Sequence, residues 1–485
     1  MADSVLSSIA TTATLDLAGI GNGLFGTFSS RIDTVGDHDW IRVDLTAGTT
    51  YFFYLSMDTI GAGSGDSEIV LRDAAGIIIP GTGDDDGGAG LNSFIAFTPG
   101  ATGTFFVDAF EHSISDRGAF NLVVTTFGQT DIFLTDGDDS QTGLAGQRLL
   151  GGAGDDTLTV GAGRDAFGEQ GDDDITGSTG NDLLSGGLGN DSIFGGDGID
   201  FIFGDTGDDL LDGEVGGDQI KGGDGSDLLR GGIGFDTLNG GADDDILDGG
   251  TDADDMTGGT GDDFYRVDDL SDVVREALGA ANGTQDFIES TVTVNLATTT
   301  TAQGIEHIRL VGGAVSNAFG HSTFNTIVGN SAANYIAAGG GNDTAAGGNG
   351  NDRLQGDAGK DTLSGGLNDD SFLYAFIADS GGTQPRRDVI TDFSQIAGNN
   401  DWIDLSAADA NGAVAGNQAF TFIGTAAFTG VAGQLRYFQD VANNRTIIEG
   451  NVRVDAASPG AEFSIELTGL KTLTGGVNNT FDIIL

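Results

Sequence analysis

The chain has no cysteine in 485 residues, which excludes a disulfide framework and any zinc or iron–sulfur centre held by thiolates. It has 4 prolines against 85 glycines, a balance unlike that of an ordinary globule and one that points to internal repeats. Basic residues are scarce: 19 Lys and Arg face 74 Asp and Glu, for a formal net charge of −55. Nucleic acid and anionic membrane surfaces would be repelled, and cations are the natural partner. No apolar run reaches the about 18 residues that a membrane-spanning helix requires. The opening Met1-Ala2-Asp3-Ser4-Val5-Leu6 has neither the basic nor the apolar region of an amino-terminal secretory signal, so export is expected by another route.

High charge with modest hydrophobicity also suits a disordered chain, and periodicity decides between the two. From Gly168 a glycine recurs every nine residues, at 177, 186, 195, 204, 213, 222, 231, 240, 249 and 258. Five residues after each glycine stands an aspartate: Asp173, Asp182, Asp191, Asp200, Asp209, Asp218, Asp227, Asp236, Asp245, Asp254 and Asp263. Two residues further on stands a side chain that can be buried: Ile175, Leu184, Ile193, Ile202, Leu211, Ile220, Leu229, Leu238, Leu247, Met256 or Tyr265. In a unit such as Gly186-Gly187-Leu188-Gly189-Asn190-Asp191-Ser192-Ile193-Phe194, the glycine-rich half can turn with positive φ and the second half supplies a short strand. One unit cannot bury its single apolar residue alone, whereas stacked units align these residues into a core and the aspartates into columns.

Such columns repel. Between Gly151 and Arg266 there are 29 acidic residues against four basic ones (Arg164, Lys221, Arg230, Arg266), a local charge of −25. A hard divalent cation relieves this. Ca²⁺ takes six to eight oxygens from carboxylates and backbone carbonyls in a flexible geometry, whereas Mg²⁺ holds to a stricter octahedron and keeps its waters.

The edges of the array are looser. Gly151–Thr159 fits through Asp156 and Leu158, and the next unit is one residue short but keeps Asp165 and Phe167. Before them Arg148 stands where an aspartate would, and the units at Gly240 and Gly249 carry Asp243 and Asp252 in place of the fourth-position glycine. A second array begins at Ala338, Gly347, Gly356 and Gly365, with Asp343, Asp352, Asp361 and Asp370 in the ligand position. Units at Gly320 and Gly329 put Asn325 and Asn334 in that slot and are not counted as sites.

These units resemble the G-G-x-G-x-D-x-U-x nonapeptides of RTX proteins, a family that includes exported toxins, lipases and serralysin-type proteases. The resemblance implies a right-handed parallel β-roll with two nonapeptides per coil and Ca²⁺ between turns, held by the position-six aspartates and nearby carbonyls. The candidate metal ligands are therefore Asp156, Asp165, Asp173, Asp182, Asp191, Asp200, Asp209, Asp218, Asp227, Asp236, Asp245, Asp254, Asp263, Asp343, Asp352, Asp361 and Asp370.

The expected fold class is all-β: an N-terminal antiparallel β-sandwich, the calcium-bound parallel β-roll and a β-rich C-terminal cap. After a short N-terminal segment, 1–12, residues 13–128 alternate as half-buried strands do, through Ile41, Val43 and Leu45 and through Phe120, Leu122 and Val124. Gly36-Asp37-His38-Asp39-Trp40-Ile41-Arg42-Val43-Asp44-Leu45 is similar to the bacterial pre-peptidase C-terminal domain. That likeness implies an accessory module, with polysaccharide or protein docking or a plain spacer role as the alternatives. The loop run Asp84-Asp85-Asp86-Gly87-Gly88 is either a further cation site or simply solvated. A linker and degenerate repeat, 129–150, precede the first array, 151–266. An ion-poor solenoid segment, 267–337, and the second array, 338–374, follow. In the last section, 375–485, Asp388-Val389-Ile390-Thr391-Asp392-Phe393 and Asp401-Trp402-Ile403-Asp404-Leu405-Ser406 resemble the serralysin C-terminal domain, which implies a cap on the roll. The ending Phe481-Asp482-Ile483-Ile484-Leu485 looks like an uncleaved type I secretion signal, which implies that secretion machinery is a partner.

No catalytic site is expected. The four histidines, His38, His112, His307 and His321, form no H-E-x-x-H pair. Gly320-His321-Ser322-Thr323-Phe324 lacks the final glycine of a nucleophile elbow. The reading from sequence is a secreted protein that folds on meeting extracellular Ca²⁺ and serves as a surface, matrix or adhesive protein, with calcium bridging copies of the chain. An exported hydrolase or epimerase and a soluble polysaccharide- or collagen-binding protein are the rivals.

Overall fold

The computed structural model describes residues 132–485 except 136, 163–164, 277–284, 298–301, 303, 382–385, 412–415, 454–460 and 479–481. Before residue 132 it describes eight strands and a few residues between them. Asp85, Asp86, His38, His112 and Phe481, all named above, lie outside the described residues. The protein is all-β, and the helical segments among the described residues are two three-residue 3₁₀ turns, Ile377–Asp379 and Val441–Asn443. The chain divides into two compact units, Met1–Tyr265 with Ser271–Arg275 and Gly279–Gly283, and Arg266–Leu270 with Glu276–Leu278 and Thr284–Leu485.

The first unit opens with two four-stranded antiparallel sheets. One runs in the order Gly26–Arg31, Gly118–Phe127, Thr50–Thr59, Ser93–Phe97, and the other in the order Asp39–Leu45, Gly103–Glu111, Ser67–Arg72, Ile78–Asp84. Alternation buries Val43 and Leu45 on one strand, and the Phe97 and Phe105 rings, one from each sheet, meet edge to face at 5.5 Å. Pro80, which has no N–H to give a ladder, sits on the edge strand Ile78–Asp84.

Beyond residue 131 the pairing becomes parallel and the step becomes eighteen residues. Ile193 registers with Leu211, Leu229 and Leu247 on one sheet, and Leu184 with Ile202, Ile220, Leu238 and Met256 on the other. Two nonapeptides therefore make one coil, with a strand on each sheet and a glycine-rich turn at each side. All eleven position-eight residues from Ile175 to Tyr265 are at most 2% exposed, so the core is one column of buried, mostly aliphatic side chains per sheet. The first coils step by seventeen residues, Leu149 to Ala166 and Leu158 to Ile175, because the unit after Val160 is one residue short. Arg148 is buried there, its guanidinium 5.8 Å from the centre of the Phe167 ring.

The second unit repeats the arrangement on two parallel sheets. One contains Asp286–Ser290, Ile305–Leu310, Thr326–Val328, Thr344–Asn349, Thr362–Leu367 and Asp388–Ile390, and the other runs from Val294–Asn295 to Trp402–Asp404 and Ile483–Ile484. The stack changes character after Asp388–Ile390. That strand pairs in parallel with Phe463–Thr468, which continues as an antiparallel ribbon with Arg445–Asn451 and Gln434–Asp440.

Candidate metal centre

Each turn is built by glycines for two separate reasons. Position two and position four take positive φ, as at Gly187 (113°) and Gly189 (128°), a conformation that L side chains rarely adopt. Asp243, Asp252 and Asn368, non-glycine residues at position four, take it as well, at 73°, 84° and 86°, so their units keep the turn at the cost of local strain. Position one is different. Gly213 has no positive φ, but the point where its Cβ would lie is 2.5 Å from Asp218 Oδ2 and 2.7 Å from the Gly231 carbonyl oxygen of the next coil. The same convergence occurs at Gly195, with Asp200 Oδ2 at 2.6 Å and the Gly213 carbonyl at 3.0 Å. A carboxylate oxygen and a backbone oxygen thus point into one space that a side chain would fill.

The aspartates form a ladder. The backbone N–H of each donates to Oδ1 of the aspartate one coil later: Asp191 to Asp209 at 2.7 Å, Asp209 to Asp227 at 2.8 Å, Asp227 to Asp245 at 2.8 Å on one side, with Asp200 to Asp218 at 2.8 Å and Asp218 to Asp236 at 2.7 Å on the other. Oδ1 is therefore occupied. Oδ2 of Asp156, Asp173, Asp191, Asp200, Asp209, Asp218, Asp227, Asp236 and Asp245 is buried with no hydrogen-bond donor, and so is Oδ2 of Asp343, Asp352, Asp361 and Asp370. A bare buried carboxylate oxygen costs several kcal/mol unless a proton or a cation meets it. Asp165, Asp254 and Asp263 are likewise buried in their columns.

The electrostatics follow from that burial. Desolvation, reinforced by the next carboxylates in the column, pushes Asp173 and Asp236 up to about 6, Asp200, Asp209 and Asp218 to about 7, Asp191 and Asp227 to about 8 and Asp245 to about 10. In the second array burial raises Asp352 to about 6, Asp361 to about 7 and Asp343 and Asp370 to about 8. Coil after coil, the columns hold groups whose ionisation burial opposes and a positive charge would favour. Their all-oxygen donor set, carboxylate plus carbonyl on a flexible turn, suits Ca²⁺.

Two kinds of turn can be told apart. At Asp182 the N–H of Ser178, the position-two residue, donates to Oδ2 at 2.6 Å, so this oxygen is already satisfied. The asparagine turns have the same closed form, His321 N–H to Asn325 Oδ1 at 3.0 Å and Asn330 N–H to Asn334 Oδ1 at 2.9 Å. There the side-chain amide also donates to the preceding coil, Asn325 Nδ2 to the Ile305 carbonyl at 2.9 Å and Asn334 Nδ2 to the Ser316 carbonyl at 2.6 Å. Asparagine thereby makes the inter-coil link that aspartate cannot make without a cation. Asp209→Asn is expected to weaken calcium-driven folding at least about tenfold, roughly 1.4 kcal/mol, whereas Asp182→Asn should change the midpoint less than about twofold on the same scale. A calcium titration followed by far-UV circular dichroism measures both.

Sequence reasoning missed two members of the columns. Asp361 N–H donates to Asp388 Oδ1 at 2.9 Å, and Asp370 N–H to Asp401 Oδ1 at 3.1 Å, so both ladders run past the last nonapeptide. Asp388 lies 27 residues after Asp361, three nonapeptides on, but Thr383 stands where the repeat's first glycine would, and Asp401 lies 31 residues after Asp370, out of register. His321 is held by its repeat, its ring Nδ1 accepting from Thr323 N–H at 3.2 Å, while Ser322 is exposed.

Comparison with known proteins agrees with this geometry. Residues 133–265 and 319–372 match, in overlapping windows, the family model of the RTX calcium-binding nonapeptide repeat, a repeat that binds calcium ions. No curated protein matches the chain. Among solved structures, the chain is similar to the AlgE6R3 subunit of the Azotobacter vinelandii mannuronan C5-epimerase, at 29% identity over 30% of this chain and 71% of that one, with a TM-score of 0.22. It is also similar to the AlgE6R2 subunit of that enzyme, at 24% identity over 33% and 85%, with a TM-score of 0.22.

Proposed function

We propose that this is a secreted calcium-binding protein whose repeats fold when the chain meets extracellular Ca²⁺, and that it acts as a non-catalytic surface, matrix or adhesive protein. The observation that carries the reading is the row of buried aspartate oxygens without donors, repeated through both arrays. The seventeen aspartates named from the sequence are assigned as the ligand set, with Asp182 the weakest because its oxygen is already hydrogen-bonded. Ion binding and folding are then one event, since the columns do not exist in the unfolded chain. Extracellular modules bind Ca²⁺ at about 10⁻⁴ to 10⁻³ M, so the rolls stay open where calcium is scarce and close where it is plentiful.

The non-catalytic part rests on sequence: no zinc-binding histidine pair and no nucleophile elbow. The two four-stranded sheets before residue 128 are read as a β-sandwich of the pre-peptidase C-terminal type, an accessory docking module. The ribbon that follows Asp388–Ile390 is read as a serralysin-like cap, since an uncovered last coil would expose unpaired backbone.

Sedimentation velocity of the full chain, from chelator to about 10 mM Ca²⁺, tests the reading across the extracellular range. Compaction followed by large assemblies is the expected result. Compaction to a stable monomer would favour the soluble accessory protein or the exported enzyme, and no response at any concentration would overturn the reading.

A further inference from the structure

The last three aspartates that approach the second array differ in how their oxygens are used. Asp392 accepts from the Gly365 N–H at 3.0 Å, the Gly366 N–H at 2.8 Å and the Ser364 hydroxyl at 2.7 Å. Asp401 accepts from Asp370 N–H with Oδ1 and from Ser394 N–H, at 2.7 Å, with Oδ2. Asp388 accepts from Asp361 N–H with Oδ1, while its Oδ2 is buried without a donor and the residue is 0% exposed. Its position is the next rung of the column Asn325, Asp343, Asp361, whose links measure 2.7, 2.8 and 2.9 Å.

No basic group answers it. Arg387, its neighbour in sequence, is turned elsewhere: Nε donates to Ser464 Oγ at 2.8 Å, and a terminal nitrogen lies 3.7 Å from Glu466. The groups around Asp388 are another carboxylate, Asp361, the Tyr374 hydroxyl, itself buried without a hydrogen-bond partner, and the Ser380 hydroxyl, which accepts from the Asp388 N–H at 3.0 Å and donates to the Ser464 carbonyl at 2.5 Å. Two facing carboxylates, each with a bare buried oxygen and with no arginine or lysine against them, have the donor chemistry of the repeat sites.

We propose that Asp388 is a calcium ligand outside the nonapeptide repeats and that, with Asp361, it holds an ion between the last coil and the C-terminal ribbon. This rests on the reading that the columns hold calcium. Asp388 lies on the strand Asp388–Ile390, which pairs with Thr362–Leu367 on one side and with Phe463–Thr468 on the other. The ion therefore ties closure of the array to docking of the ribbon.

Native mass spectrometry of the full chain at saturating Ca²⁺ counts the ions, with hydrogen exchange reporting on the repeats and on 386–393. Asp388→Asn keeps an acceptor for the Asp361 N–H and introduces the amide that Asn325 and Asn334 use. It should bind one ion fewer than the wild type, with the repeats fully protected. Asp392→Asn disturbs the same segment without touching the bare oxygen and should keep the wild-type count. Equal counts in all three proteins would overturn the assignment, and so would the same loss in both variants, which would trace it to the ribbon rather than to Asp388. Repeat amides left unprotected in Asp388→Asn at saturation would also count against a local ligand. A wild-type chain that binds no calcium would bring down the reading on which the proposal rests.

Discussion

In calcium-free buffer at pH 7.5 the first array is expected to lose most of its strand signal in far-UV circular dichroism, and the amides of Asp191, Asp209 and Asp227 their protection from exchange. Millimolar Ca²⁺ should restore both. The size of the effect follows from repetition. A site at about ten times its dissociation constant contributes about 1.4 kcal/mol, and the columns carry many sites. Acid should act in the same direction as calcium. The folded carboxyls stand above the usual 3.8, many at about 6 to 8, so between about pH 4 and 8 the ion-free roll binds more protons than the unfolded chain. Its stability is therefore present at the acid end of that window and falls as pH rises through it. Calcium-free protein at pH 5 should regain part of the strand signal lost at pH 7.5. Identical spectra at the two pH values would refute the protonated-column picture, and an intact roll in chelator at pH 7.5 would refute the role of the ion.

Gly213→Val should be strongly destabilising. Its backbone conformation is open to any residue, so only occupancy is at issue, and the new side chain would enter the space shared by Asp218 Oδ2 and the Gly231 carbonyl. Overpacking and the loss of an ion combine, for an expected destabilisation of more than about 3 kcal/mol at saturating calcium. Stacked coils depend on their neighbours, so the loss should spread to adjacent coils. Gly217→Ala is the matched control. Its added Cβ would approach nothing nearer than the Phe235 carbonyl, at 3.3 Å, and should cost less than about 1 kcal/mol. Thermal unfolding in excess calcium separates the two, and similar midpoints would mean that the space at position one is not a binding space.

Much of this was legible in the residues. The nine-residue period and the apolar residue at position eight set the coil, and the aspartate at position six marks the columns. The missing residue after Val160 reappears as the seventeen-residue step. What escaped was whatever departs from the period or depends on local backbone. Asp388 keeps the nine-residue register but lacks the glycine that opens a repeat, whereas Asp401 enters its column 31 residues after Asp370, out of register. Asp182 reads like every other aspartate in sequence, yet the N–H of Ser178 closes its turn. Phe167, Leu183, Phe201 and Phe203 form a buried cluster on the face of the sheet opposite the position-eight column, a face that the repeat pattern left without a core.

The ladder also gives the stack a direction. Every aspartate N–H looks forward, toward the coil that follows it, for its acceptor. Remove the coils from the front and what remains uncovered is a carboxylate, which water can solvate. Remove them from the rear and what remains is an amide in need of an acceptor. The two ends are therefore unequal, and growth by inserted eighteen-residue steps leaves both unchanged.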